Sequence, residues 1–192
     1  MGRPKQFDPD TAVERAMQVF WSKGYAATTP QDLVDALGIG KGSLYNAFGS
    51  KHALFERALE RYRDGQAAAL IQLLERPVPV RERLRGTLLL LTEIDLADPE
   101  RRGCMGVNTV AQLGEADPSA LDVVRRMFDR TEGAFQALVE EGQRSGEIDP
   151  DRDARALGSL LLNTVVGLRL LARAAEGPDR LHRVVDAVLD SL

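Results

Sequence analysis

The residues from Thr29 to Lys51 constrain this chain more than any others, because their punctuation admits little besides two short helices and the turn between them. Thr29 suits a helix N-cap and Pro30 the first helical position, while Asp32 falls in the first turn, where the helix dipole favours a carboxylate. Leu33, Val34 and Leu37 recur at spacings of three and four and so share one face. Gly38 can then adopt the left-handed conformation that closes a helix without a Cβ clash. Beyond the turn Gly38-Ile39-Gly40, a second short helix carries Leu44 and Phe48 inward and leaves Lys41, Ser43, Tyr45 and Asn46 to point elsewhere. Ser50 is placed to cap the helix after it. Two short helices joined by a glycine-containing turn make a helix-turn-helix, the arrangement that offers its second helix to a DNA major groove.

Charge agrees with that arrangement. Between Asp35 and Glu56 the chain carries Lys41, Lys51 and His52 but no acidic residue, although the whole protein has a net charge of -4. A surface that meets phosphates has to avoid like charge. A plain helical hairpin in a bundle would have no such requirement. Residues 1–65 hold nine basic and eight acidic side chains, against sixteen and twenty-one over residues 66–192. Any contact with nucleic acid is therefore local to the N-terminal third.

Thr28-Thr29, Leu33, Ala36, Gly38, Lys41-Gly42-Ser43-Leu44-Tyr45, Phe48, Ser50-Lys51 and Leu54 resemble, position by position, the DNA-binding signature of TetR/AcrR-family transcriptional regulators. The close match spans Phe7 to Tyr62. The resemblance implies a homodimer on double-stranded operator DNA, a pocket for a small-molecule effector, and repression relieved by that effector. On such a surface Thr29, Tyr45 and Lys51 are expected to hold phosphates, and Lys41, Ser43 and Asn46, with Gly42 beside them, to meet base edges, because Lys can donate to guanine and Asn can pair with adenine. Arg3 and Lys5, in the basic arm ahead of the first helix, are suited to a minor groove or flanking phosphates; the alternative is a frayed terminus.

The remaining segments are helical in period, with no alternation of period two. The expected fold is all-α with about nine helices: a helix-turn-helix domain over residues 1–62 and a helical effector and dimerisation domain over 63–192. The boundary falls inside a long helix that starts after Ser50 and stops before Pro77 and Pro79. Leu88, Cys104, Met105, Asn108, Phe128, Phe135 and Leu162 are the candidate pocket lining, mostly apolar with one amide to orient a guest. Each is equally suited to a filled core. From Ala154 to Ala175 apolar residues occur nearly all round, which calls for cover on more than one face. Leu161, Val165, Leu168, Leu181, Val184 and Val188 are accordingly expected to meet a second subunit; the alternative is burial within the chain itself.

Cys104 is the only thiol, and Arg101, Arg102 and a helix start beside it would favour thiolate. Gly103-Cys104 also resembles a branch of the family that senses electrophiles through such a cysteine; the alternative is an inert buried thiol. No catalytic residue, metal site or cofactor is expected. The chain has two histidines, His52 and His182, no cysteine pair and no phosphate-cradling glycine loop. No apolar leader follows Met1, and the apolar run around Leu157 to Ala175 is broken by Asn163, Arg169 and Arg173, so a cytoplasmic protein without a membrane span is expected.

Overall fold

Five of the helices among the described residues begin where a side chain accepts from their first free amides. The protein is described here by a computed structural model covering residues 8–192. Asp8 accepts from the amides of Asp10 and Thr11 and starts α1 (Pro9–Lys23). Thr29 and Asp32 cap one another reciprocally at the head of α2 (Pro30–Leu37), and Gly38, at φ 67°, ends it in the left-handed region. The turn leads into α3 (Lys41–Phe48), and Ser50 caps α4 (Lys51–Leu74) through the amide of Ala53. The two prolines separate α4 from α5 (Val80–Ala97).

Among the described residues four further α-helices follow: α6 (Met105–Leu113), α7 (Pro118–Ser145), α8 (Ala154–Ala172) and α9 (Asp179–Asp190). A single 3-10 turn, Gly114–Ala116, joins α6 to α7, and Asp117 caps α7. No strand occurs among the described residues. The expected short helix around Cys104 starts at Met105, with Cys104 itself as the cap residue.

Two apolar clusters form the core, and their border does not follow the expected domain boundary. The first unites α1 to α4, through Phe20, Leu33, Leu44, Phe48 and Phe55, with Cys104, Met105 and the first half of α7. The second gathers Leu74, α5, the second half of α7, α8 and α9. The three-helix head thus shares one core with α6 and α7, which it reaches chiefly through α4. Burying apolar area at roughly 25 cal/mol per Å² makes such shared clusters the main source of rigidity between the two parts.

Helix α8 shows which way an all-round apolar helix turns. Leu157, Leu161, Thr164, Leu168 and Ala172 face inward, whereas Leu160, Leu170 and Leu171 are 38%, 51% and 46% exposed. It is long and apolar enough to cross a membrane by length and composition, but its buried face packs against α7 and α5.

Candidate nucleic-acid interface and effector cavity

The reading helix is held from behind and left free in front. Leu44 and Phe48 of α3 are buried in the first cluster, while Lys41, Gly42, Ser43 and Asn46 are exposed and Tyr45 is half-buried. Thr28 donates its hydroxyl to the carbonyl of Gly24 at 2.7 Å and pins the turn between α1 and α2. Lys23 reaches Asp32 at 2.6 Å. With the amide and hydroxyl of Thr29 also donating to it, Asp32 is held well below the usual carboxylate range. Thr29 is exposed, so its hydroxyl stands at the surface while it caps α2.

Lys51 lies in the first turn of α4, where the helix dipole disfavours a cation. Its amine sits over the Tyr25 ring, 4.4 Å from the centroid, which supplies an intramolecular reason for the residue besides a phosphate. Burial pushes the Lys51 ammonium down from its ordinary value, and Asp32 partly counters that. Next to it, His52 approaches Asp117, the cap of α7, at 2.9 Å and ties the head to the sensor helices. Arg3 and Lys5 lie outside the described residues.

A cavity of about 300 Å³ opens between α4, α5, α7 and α8. Of the residues expected there, Cys104, Phe128, Phe135 and Leu162 line it. Leu88, Met105 and Asn108 do not. Leu88 is fully enclosed in the second cluster and Met105 in the first. Asn108 donates to the carbonyl of Arg102 and accepts from Arg173, so its amide is a structural clip. The wall is instead completed by Leu70, Leu91, Val107, Val166, Gln66 and Arg169. Sequence periodicity marks these as apolar or helical positions but carries no sign of which adjoin empty space.

The interface expectations need the same correction. Leu161, Leu168 and Leu181 are 0%, 3% and 0% exposed inside a single chain and have no surface to offer a partner. Val165 lines the cavity, Val188 is packed on the second cluster, and Val184 is the exposed member at 36%. Leu160, Leu170 and Leu171, on the opposite face of α8, form the uncovered apolar surface.

Cys104 is 7% exposed and lines the cavity, but its charged neighbour is neither residue expected. Arg101 donates to the carbonyl of Ala172, and Arg102 pairs with Asp98 while its guanidinium stacks on Trp21. The thiol instead contacts the hydroxyl of Tyr62 and lies in the field of Arg169. Burial pushes the Tyr62 phenol far above its ordinary value, so it stays a neutral hydroxyl. Arg169 is paired in turn with Asp95 through two hydrogen bonds of 2.8 and 2.9 Å. Among the described residues no group of three or more His, Cys, Asp or Glu side chains could hold a metal ion.

Residues 12–58 match the family model for bacterial regulatory proteins of the tetR family, and residues 80–188 match a tetracyclin repressor-like C-terminal domain. The chain is 34% identical to YezE of Bacillus subtilis, an uncharacterized HTH-type transcriptional regulator, over the full length of both. It is 30% identical to the HTH-type transcriptional repressor ComR of Escherichia coli, covering 98% of this chain and 90% of that one. Among solved structures, a cysteine mutant of the TetR-family regulator CifR, complexed with 26-base-pair operator DNA, superposes with a TM-score of 0.87 at 29% identity over 99% of each chain. Both halves of the molecule, the reading head and the helical body, thus match one family along nearly their whole length, and the chain belongs to the TetR family of bacterial regulatory proteins.

Proposed function

We propose that this protein is a dimeric, ligand-responsive transcriptional repressor that reads operator DNA with α3 and is released by a small molecule bound in the cavity. The observation that carries the reading is the exposed row Lys41, Ser43 and Asn46 on a helix whose other face is locked into a core shared with the cavity-bearing body. Lys41 donates to guanine and Asn46 pairs with adenine, while Tyr45, Thr29 and Lys51 hold phosphates. The operator complex of CifR, at 29% identity, supports DNA as the partner, and ComR supports repression.

A second subunit covers Leu160, Leu170, Leu171 and Val184, and the two-fold axis sets the two α3 helices about one DNA turn, ~34 Å, apart or a multiple of it. The protein acts by binding rather than by catalysis, in the cytoplasm. A ligand alters DNA affinity only through different affinity for the DNA-competent and DNA-incompetent arrangements. The cavity touches Trp21 of α1 and Gln66 of α4, both continuous with the head, so its contents bear directly on where the head sits.

The test is binding to DNA upstream of the protein's own gene, against an unrelated fragment and across a salt series. A preference of at least ~10³ for the native fragment, with steep salt dependence on both, is expected. Replacing Lys41 and Tyr45 with Ala is expected to abolish the preference in a folded dimer; unaltered affinity would overturn the reading.

A second reading, electrophile sensing, is favoured by the placement of the Cys104 thiol in the cavity wall. It predicts a covalent adduct on treatment with N-ethylmaleimide and release from DNA that Cys104→Ser prevents. Release that survives in Cys104→Ser would leave reversible ligand binding as the mechanism.

A further inference from the structure

The cavity wall contains a single charged side chain, Arg169, and that charge is fully committed. Its Nε and one terminal nitrogen chelate Asp95; the same terminal nitrogen also donates to the carbonyl of Gly103 at 3.3 Å. The other terminal nitrogen donates to the hydroxyl of Tyr62 at 3.4 Å and to Oε1 of Gln66 at 3.2 Å. All five guanidinium hydrogens therefore have protein acceptors. Asp95 and Arg169 are 4% and 6% exposed, so the pair is shielded from water and its charges cancel at the wall.

An anionic guest would find no free donor on Arg169, whose charge Asp95 already neutralises from behind the wall. A cationic guest would find no unpaired carboxylate and would meet Arg169. Either would lose its hydration without a partner, which is the costliest way to bury a charge. The rest of the wall is mainly apolar, and the exposed lining residues Ala69, Gln72, Leu90 and Ile94 place the mouth between α4 and α5. The volume lies at the low end for small-molecule sites. Gln66, whose oxygen is engaged by Arg169, keeps an amide N–H to offer.

We infer that the effector of this cavity is an uncharged, predominantly apolar small molecule whose one polar end is a hydrogen-bond acceptor. This rests on the proposed reading of the cavity as the effector site. It adds a selectivity that the reading alone does not contain: rejection of charged guests because Asp95 neutralises Arg169.

The experiment uses the full-length protein and the neutral fluorophore N-phenyl-1-naphthylamine, displaced by 1-octanol, octanoate or octylammonium, which share one chain and differ in charge. Leu162→Trp, which fills the cavity, is the site control. Saturable fluorescence that Leu162→Trp removes, with octanol displacing at concentrations at least about tenfold below either ion, is expected. Because octanol is also the most apolar of the three, Asp95→Asn supplies the decisive comparison. It keeps the shape but unmasks Arg169, and octanoate affinity relative to octanol is expected to rise at least about tenfold. Octanoate or octylammonium matching octanol on the native protein, or no change in Asp95→Asn when it folds, overturns the inference and leaves the effector site standing. Fluorescence that is unsaturable, or indifferent to Leu162→Trp, overturns the inference together with the effector site. DNA binding is measured separately and stands or falls by itself.

Discussion

The indole N–H of Trp21, in α1, donates to the carbonyl of Gly103 at 2.9 Å, across a separation of 82 residues. The same carbonyl accepts from Arg169 of α8. One oxygen thereby joins the first helix of the reading head to the helix that carries the buried ion pair. Gly103 sits at φ 63°, so a larger residue could not take that backbone shape without strain, and a Cβ there would lie 3.1 Å from the carbonyl of Arg169, a tight approach that the neighbour would have to relieve by a few tenths of an ångström.

Removing the indole donor isolates this link. Trp21→Phe keeps an aromatic ring beside Tyr62 and under the Arg102 guanidinium but leaves the Gly103 carbonyl with one donor fewer. The expected loss is about 1 kcal/mol of stability, a fall in Tm of roughly 2–4 °C for a chain of this size. Thermal and urea unfolding of the two proteins side by side measure it.

The Arg169–Asp95 pair gives a sharper signature. Arg169→Met or Asp95→Leu alone strands a buried charge and is expected to cost about 3–5 kcal/mol. The double variant strands none and is expected to be more stable than either single variant. A double-mutant cycle by urea denaturation reads the difference, and additive losses would show that the two residues do not act as a pair.

Asp32 makes the head acid-sensitive in a defined direction. Hydrogen bonds from Lys23 and from the amide and hydroxyl of Thr29 hold its folded-state pKa below the ordinary 3.8. The unfolded chain therefore binds the proton first as pH falls, and protonation favours unfolding. Its stabilisation is complete above about pH 5 and drains away as pH drops through the unfolded-chain value toward the folded one. Asp32→Asn is expected to flatten the fall in Tm between about pH 5 and about pH 3 relative to the native protein.

The open face of α8 supplies a test of assembly. Leu160→Glu and Leu171→Glu place a carboxylate on an exposed apolar patch, where a monomer tolerates it and a buried interface does not. Self-association is expected to weaken by at least about 100-fold, seen by sedimentation equilibrium, with helicity retained and operator affinity lost. Leu161→Ala, by contrast, should destabilise the monomer itself by about 2–5 kcal/mol, because Leu161 is core.

What the sequence by itself determined is the set of features whose physics is local. The caps at Thr29 and Ser50, the left-handed stop at Gly38 and the proline break after α4 depend on residues within four positions of each other. For that reason the helix boundaries and the outward row on α3 were legible. Tertiary structure alone decided the phase of α8, because a helix apolar on every side has no preferred face until its neighbours choose one; Leu161 and Leu168 went inward, and Leu160 and Leu171 outward. It also decided which apolar residues border empty space. Leu88 and Phe135 look alike in sequence and are buried in the same cluster, yet only the second lines the cavity, a difference set by how four helices fail to close over one another. Likewise Arg169 reads as a break in an apolar run until folding brings Asp95, Tyr62, Gln66 and Gly103 to its five hydrogens. The long-range pairing that makes such a charge tolerable inside a core is a property of the packed chain, since its partners lie 66 to 107 residues away along the sequence.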